Sequence, residues 1–141
     1  MKDDNVTIAR RWFDEIFEKG YMETLDDIVA ENIKIHGAGD SEATGRESFR
    51  TWLRWYRETF VESKWEITLL FEAGNKVVTR YRGTSTYKGG FVGIPSNNQL
   101  VTETGIIIFN IVDNKVVEIW CEYSDIQVLE QLGVFPPKTV M

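Results

Sequence analysis

The stretch VVEIWCEYSDIQVLEQLG, residues 116–133, decides the fold because its pattern changes from that of a strand to that of a helix. Its first half is rich in β-branched and aromatic residues, which is typical of a largely buried strand. From Ile126 onward, Leu129 and Leu132 follow at helical spacing, and Gly133 stands where a helix C-terminus is expected. The sequence therefore predicts a strand that leads directly into a short helix.

The two faces of this predicted strand differ in chemistry. The two-residue period of a strand gives one face made of Glu118, Trp120, Glu122 and Ser124. The other face is made of Val117, Ile119, Cys121 and Tyr123. A third carboxylate, Asp125, follows at the exit of the strand. Because carboxylates are costly to bury unless they are paired or used, the acidic face either meets solvent at a sheet edge or lines a pocket. The sequence leaves both alternatives open.

The composition limits the class of protein. At 141 residues and 43% hydrophobic residues, the chain is expected to form one domain, residues 1–141, with a sizeable core. The net charge of −6 argues against nucleic acid as a partner, and no apolar run approaches the ~18 residues that a membrane span needs. A single cysteine, Cys121, and no apolar signal region at the N-terminus predict a cytoplasmic protein.

The order of the remaining elements indicates an α+β fold. Helices are predicted from the cap residues Asp3 and Asp4 to Gly20, from the cap residue Thr24 onward, and over residues 46–62. A brief strand at 33–36 and a loop at 37–45 lie between the last two, and strands at 65–72, 76–87 and 100–112 precede the opening stretch. Phe135-Pro136-Pro137 is expected to end the ordered chain. We therefore expect a strongly curved antiparallel sheet wrapped around N-terminal helices, a cone with a ligand pocket at its mouth.

Several motifs carry a family resemblance. They are Glu118-x-Trp120 followed by an acidic turn and Gln131-Leu132-Gly133, the loop Phe91-Val92-Gly93-Ile94-Pro95, and the strand-turn-strand from Gly105 to Glu118. In this order and spacing they resemble the SnoaL-like polyketide cyclases of the nuclear-transport-factor-2-like, or ketosteroid isomerase-like, superfamily. The resemblance implies a cone-shaped α+β barrel, a homodimer formed through the sheet, and an intramolecular aldol closure by acid/base chemistry without a cofactor.

Two departures from the family pattern bear on the site. The family acid normally stands four residues after the Trp, and here that position is Ser124, with Asp125 one residue later. Either a bulge turns Asp125 into the cavity, or Glu122 takes the role, or the acid is absent. In addition, a Gly-Thr-His that often precedes the Gly-Ile-Pro loop is replaced by a sequence that ends in Tyr87, a poor base near neutral pH.

These considerations give a set of candidate site residues. The candidate catalytic residues are Asp125, Glu122 and His36, and the candidate substrate-binding residues are Trp120, Tyr123, Tyr56, Trp12, Arg80 and Tyr87. No metal site is expected, since the chain has one histidine and one cysteine. For His36 a structural hydrogen bond is an equal alternative, and for Arg80 an outward-facing ion pair is the favoured one. Glu103, in mid-strand, is interpreted as a cross-strand partner of an arginine.

Two functions from different classes remain. The first is a small lyase or isomerase of the polyketide cyclase type that works by acid/base chemistry on a hydrophobic or polycyclic molecule. The second is a domain with the same cone that binds a small molecule without catalysis or serves as a dimeric scaffold. The three acids near Trp120 favour the enzyme, and the displaced aspartate favours the binding domain.

Overall fold

The computed structural model describes residues 3–37, 39 and 41–134. The helices are α1 (Asn5–Arg11), continued by a π-helical segment (Trp12–Glu18), then α2 (Met22–Ile28), α3 (Arg46–Thr59) and α4 (Asp125–Gln131). The strands are β1 (Val29–His36), β2 (Glu42–Thr44), β3 (Phe60–Ala73), β4 (Lys76–Tyr87), β5 (Leu100–Val112) and β6 (Lys115–Tyr123). Phe135-Pro136-Pro137 lies outside the described residues.

The six strands form one sheet in the order β2-β1-β6-β5-β4-β3. The four long strands β3 to β6 pair antiparallel, as predicted, but β1 pairs with β6 in parallel. The prediction of an antiparallel sheet therefore holds for β3 to β6 but not for the pair of β1 and β6, because no short hairpin loop joins these two strands and fixes their relative direction. Bulges in β3 and β6 increase the local twist and bend the sheet around the helices. The predicted α+β cone, an open curved sheet around helices, is confirmed.

Most element boundaries agree with the sequence pattern, and the differences have local causes. Asp4 caps α1 by accepting a hydrogen bond from the backbone N–H of Thr7 at 2.7 Å, as predicted. Helix α3 ends at Thr59 rather than at 62, because the chain passes into β3 at Phe60. Thr24, expected as a cap, lies inside α2 and donates a hydrogen bond to Glu15 at 2.8 Å. The predicted loop at 37–45 contains strand β2, which pairs with β1.

The core lies between the helices and the inner face of the sheet. Trp12, Phe13, Ile16 and Phe17 of the π-helical segment are all buried there. A second buried cluster surrounds Tyr56, near α4 and the start of β5. Trp65 of β3 packs against both clusters, and the space between them is the cavity described below. No helix among the described residues is long and apolar enough to cross a membrane.

Candidate active site

A cavity of about 430 Å³ opens between the N-terminal helices, α3 and the inner face of the sheet. Its volume is in the range of roughly 300–1,000 Å³ that is usual for small-molecule pockets. Half of the residues that line it are aromatic: Trp12, Phe13, Phe17, Phe49, Trp52, Trp55, Tyr56, Phe60, Trp65, Tyr81, Phe91 and Tyr123. Trp52 and Trp55 are partly exposed to solvent, so they mark the region where the cavity opens. The many flat rings favour a flat, apolar ligand.

Glu103 places a carboxylate inside this aromatic wall. It lies on β5 opposite Gly83 of β4, and its Oε1 accepts a short hydrogen bond from the hydroxyl of Tyr56 on α3. Loss of solvation is the main cause that raises the pKa of Glu103, to about 7, and the charge of Asp125 adds to the increase. The hydrogen bond from Tyr56 acts in the opposite direction and is the weaker effect. Glu103 is therefore a carboxyl group that changes protonation near neutral pH.

Asp125 is the second carboxylate of the cavity, and Ser124 fixes its direction. The backbone N–H of Ser124 donates to Thr104 O at 3.1 Å, and Ser124 Oγ accepts from the backbone N–H of Thr104 at 3.0 Å. These two bonds extend the ladder between β5 and β6 by one residue, and α4 begins at the next. Asp125 consequently lines the cavity without a bulge at this point, and burial raises its pKa.

Two tyrosines and the cysteine complete the polar part of the wall. Burial raises the pKa of Tyr81 and of Tyr123, so both hydroxyls stay protonated and can donate hydrogen bonds. Among the described residues, no hydrogen-bond partner is found for the Tyr81 hydroxyl. Burial also raises the pKa of the Cys121 thiol to about 11, so this cysteine is a poor nucleophile near neutral pH.

Gly83 and Gly105 leave space for the side chains of Trp65 and Tyr81 in the cavity wall. A Cβ atom on Gly83 would lie 2.7 Å from the ring of Trp65, and one on Gly105 would lie 2.4 Å from the Tyr81 hydroxyl. Contacts this short are not tolerated, so these rings can lie flat on the sheet only because both positions lack a side chain. Trp65 and Tyr81 lie next to each other there, with 5.5 Å between their ring centroids.

Four of the predicted site residues line the cavity: Asp125, Tyr123, Tyr56 and Trp12. Asp125 and Tyr56 both belong to the surroundings of Glu103, since each affects its pKa. Trp12 contributes a fully buried aromatic wall and stacks on Phe49 at 4.9 Å between ring centroids.

The other predicted site residues lie elsewhere. Glu122 is exposed on the outer face of the sheet, and Trp120 of the same face stacks on His36 at 5.4 Å between ring centroids. His36 contacts Glu118 at 2.7 Å and Glu42 at 3.0 Å, which corresponds to the structural alternative for this histidine. The acidic face of the opening stretch is therefore the outer face of the sheet.

Arg80 and Tyr87 are also separate from the cavity. Arg80 is exposed and donates to the hydroxyl of Thr68 at 2.9 Å. The buried Tyr87 hydroxyl contacts the backbone of the loop that follows β4, at Ile94 O (2.6 Å) and at the N–H of Phe91 (3.0 Å). Tyr87 thus holds the loop whose Phe91 side chain lines the cavity.

Glu103 and Tyr81 were not among the predicted site residues. The expected partner of Glu103 was an arginine, but its partner is Tyr56. The two-residue period contained the signal, since Glu103 shares a strand face with Ile107 and Phe109, which are buried. The hairpin register contained a second signal, because pairing of Gly105 with Tyr123 places residue 103 across from residue 125.

No group of three or more His, Cys, Asp or Glu side chains suited to a metal ion occurs within 3–37, 39 and 41–134.

Comparisons with known proteins agree with this architecture. The sequence profile of the SnoaL-like polyketide cyclase family matches residues 7–132. No curated protein is similar enough in sequence to count as a relative. Among solved structures, a candidate SnoaL-like polyketide cyclase from Jannaschia sp. CCS1 superposes with a TM-score of 0.84 at 21% identity, over 94% of this chain and 93% of that chain.

Two further solved structures, both from Streptomyces, are similar in fold. IdmH from Streptomyces antibioticus, named a candidate polyketide cyclase, has a TM-score of 0.83 at 21% identity, over 94% of this chain and 100% of that chain. AclR from Streptomyces galilaeus, named a candidate hydroxylase, has a TM-score of 0.85 at 19% identity, over 95% of this chain and 83% of that chain. At these identities the likeness extends to the fold, and proteins with different names share it.

Proposed function

Because the chain belongs to the SnoaL-like polyketide cyclase family, we propose that its cavity performs acid/base chemistry of the aldol or isomerisation type on a small hydrophobic molecule. The observation that carries the proposal is Glu103, a carboxyl group with a pKa of about 7 inside an aromatic cavity. A catalytic acid or base is most effective when its pKa lies near the working pH. The proposal thus adds Glu103 to Asp125 and requires no cofactor in these steps.

The two carboxyl groups, those of Glu103 and Asp125, have different roles. Burial raises the pKa of both, but the charge of Asp125 further raises that of Glu103. At neutral pH we therefore assign the proton to Glu103 and the charge to Asp125, in the way that paired carboxyl groups separate into acid and base. Asp125 removes a proton from the carbon next to a carbonyl group, and Glu103 gives its proton to the oxygen on which charge develops.

The neighbouring hydroxyls support the developing charge. Tyr81 and Tyr123 are protonated donors in the cavity wall, and donors that are already in place stabilise an enolate oxygen without reorganisation. Tyr56 holds the Glu103 carboxyl group through Oε1, which leaves Oε2 for the substrate. The resulting enol or enolate carbon then attacks a second carbonyl of the same molecule in a cyclisation, or takes back a proton at another carbon in an isomerisation.

The test uses 2-tetralone, a flat neutral ketone with acidic hydrogens next to its carbonyl group. Exchange of these hydrogens in D₂O, followed by proton NMR, should be faster with the wild-type protein than in buffer. Asp125→Asn should abolish the acceleration, and Glu103→Gln should remove its decrease above pH ~7, which is due to ionisation of the acid. Glu122→Gln, on the outer face, is the matched control.

If wild-type protein binds 2-tetralone, as judged by quenching of tryptophan fluorescence, but does not accelerate exchange, the acid/base proposal fails. The cavity would then belong to a binding domain.

We also propose that the protein is a homodimer that forms through the outer face of the sheet. Phe71, Val78, Ile108 and Trp120 are paired in register across four strands, so their side chains form one row on that face. Phe71 is 51% exposed, and the neighbouring Leu69 is 55% exposed. A second copy would cover this apolar row, as in isologous dimers. The cytoplasm remains the proposed compartment, on the evidence of the single buried Cys121.

A further inference from the structure

The charged side chains that line the cavity are all acidic. Glu103 lies among the aromatic rings, and Asp125 and Glu42 are lining residues that are exposed to solvent. Over the described ranges 3–37, 39 and 41–134, the lining contains no lysine, arginine or histidine. The field inside the cavity is therefore negative and has no cation of the wall to balance it.

Three basic side chains, those of Arg57, Arg50 and His36, are held in contacts outside the cavity. Arg57 of α3 donates to the backbone carbonyls of Phe17 and Glu18, at 3.2 Å and 3.1 Å. Arg50 donates to Asp26 at 2.6 Å, and His36 is held between two carboxylates. Rotation of one of these side chains into the cavity would break these bonds, so they do not neutralise the carboxylates of the wall.

The aromatic wall adds a preference of the same sign. Four indole rings, those of Trp12, Trp52, Trp55 and Trp65, line the cavity. The face of an indole ring is electron-rich and attracts cations, while it stacks on any flat neutral ring. An anion gains nothing from these faces and is repelled by the carboxylate of Asp125 and, above pH ~7, by that of Glu103.

We infer that the cavity selects its ligand by charge: it takes flat aromatic molecules that are neutral or positively charged and rejects those that carry a carboxylate. This inference rests on the proposed function in taking the same cavity as the substrate site. It narrows the substrate class to molecules whose acidic groups are absent or masked. Like charges about 5 Å apart in a partly buried site lower affinity by about tenfold or more.

The test is a series of three isosteric probes: 2-naphthamidine (cation), 2-naphthamide (neutral) and 2-naphthoate (anion). Affinities at pH 8 are measured by quenching of tryptophan fluorescence and by calorimetry. We expect the naphthoate to bind at least about tenfold more weakly than the naphthamide, and the naphthamidine to bind as tightly or more tightly. A naphthoate affinity within about threefold of the naphthamide affinity overturns the inference, and so does the absence of binding by both other probes.

Variants and pH identify the source of the discrimination. Glu103→Gln keeps the shape of the side chain and should reduce the difference in affinity between naphthamide and naphthoate. Glu122→Gln removes one charge on the outer face and should leave this difference unchanged. In wild-type protein the difference in affinity between naphthamide and naphthoate should also be smaller at pH 5.5, where Glu103 is protonated and 2-naphthoate is still ionised. This pH series needs no variant, so the inference stays testable if Glu103→Gln does not fold. A difference in affinity that is independent of pH and the same in both variants contradicts the inference.

The probes report binding and not turnover. A protein that discriminates among them but does not exchange the hydrogens of 2-tetralone would retain the charge selection and lose the proposed chemistry. A protein that exchanges these hydrogens but binds all three probes equally would show the reverse. The failure of one conclusion is thereby distinguished from the failure of the other.

Discussion

The hydroxyl of Tyr56 on α3 donates a hydrogen bond to Oε1 of Glu103 on β5, and this contact links the helical layer to the sheet inside the cavity. Because the donor stabilises the charged form of the carboxylate, it lowers a pKa that burial raises. The balance between these two effects determines the pH at which Glu103 changes its charge.

Replacement of Glu103 by glutamine should increase stability at high pH. Burial raises the pKa of Glu103 from 4.5 to about 7 in the folded protein. The free energy of unfolding of the wild type therefore decreases as the pH rises through this interval. Glutamine cannot ionise and can still accept from Tyr56. Relative to the wild type, the free energy of unfolding of the variant should therefore increase between pH ~4.5 and ~7, by up to roughly 3 kcal/mol.

The measurement is urea unfolding of both proteins across this pH range. Glu122→Gln, which is exposed, should follow the wild-type curve. A stability difference between Glu103→Gln and wild type that does not change with pH would contradict the raised pKa.

Replacement of Tyr56 by phenylalanine should raise the pKa of Glu103 above 7. The variant removes the hydrogen bond that stabilises the carboxylate, while the aromatic ring continues to desolvate it. An increase of roughly one unit corresponds to the usual strength of a hydrogen bond to a charged group. The shift can be followed by ¹³C NMR of labelled glutamate side chains, with Tyr21→Phe at an exposed position as the control. A lower pKa in Tyr56→Phe would show that the contact does not favour the carboxylate.

Replacement of Asp125 by asparagine should lower the pKa of Glu103. The negative charge of Asp125 is one of the causes that raise this pKa, and asparagine removes the charge with little change in shape. The direction is opposite to that of Tyr56→Phe, so the same NMR titration separates the two effects. If the pKa of Glu103 is the same in Asp125→Asn and in wild type, the two groups do not interact and the assignment of one proton to the pair is wrong.

Replacement of Gly83 by alanine should destabilise the fold by roughly 1–3 kcal/mol. The new Cβ would lie 2.7 Å from the ring of Trp65, which must move, and Trp65 packs against both core clusters. Ser85→Ala on the same strand is the control, since it adds no atom. Unfolding in urea gives the free energies, and a Gly83→Ala variant as stable as Ser85→Ala would show that the ring is free to shift.

Replacement of Phe71 by aspartate should dissociate the proposed dimer. A charge that is buried in an apolar interface is desolvated without a partner, whereas on an exposed monomer surface it costs little. Sedimentation velocity should show a dimer for the wild type and a monomer for the variant. Leu100→Asp, which is also exposed but lies eight residues along β5 from the row, should remain dimeric. A wild-type protein that sediments as a monomer would refute the dimer.

The sequence alone determined the class of fold and the family. Period-two alternation with turn residues at 73–75 and 113–115 specified the hairpins β3-β4 and β5-β6, because short loops pair consecutive strands antiparallel. Local pattern also located the change from strand to helix at residue 125, where α4 begins. These features depend on neighbours in sequence, so they could be predicted without coordinates.

Only the tertiary structure decided which face of β6 meets the helices. The alternation of residues separates the two faces of a strand but does not show which face is buried. Trp120 on the outer face is as apolar as the inner residues. The same is true of Glu103, whose acidity suggested an ion pair until the helix that carries Tyr56 was placed over it. The parallel pairing of β1 with β6 likewise joins segments about 80 residues apart in sequence. Charge, pKa and the cavity itself arise from contacts between distant segments, and for that reason local sequence pattern determined the frame of the site but not its chemistry.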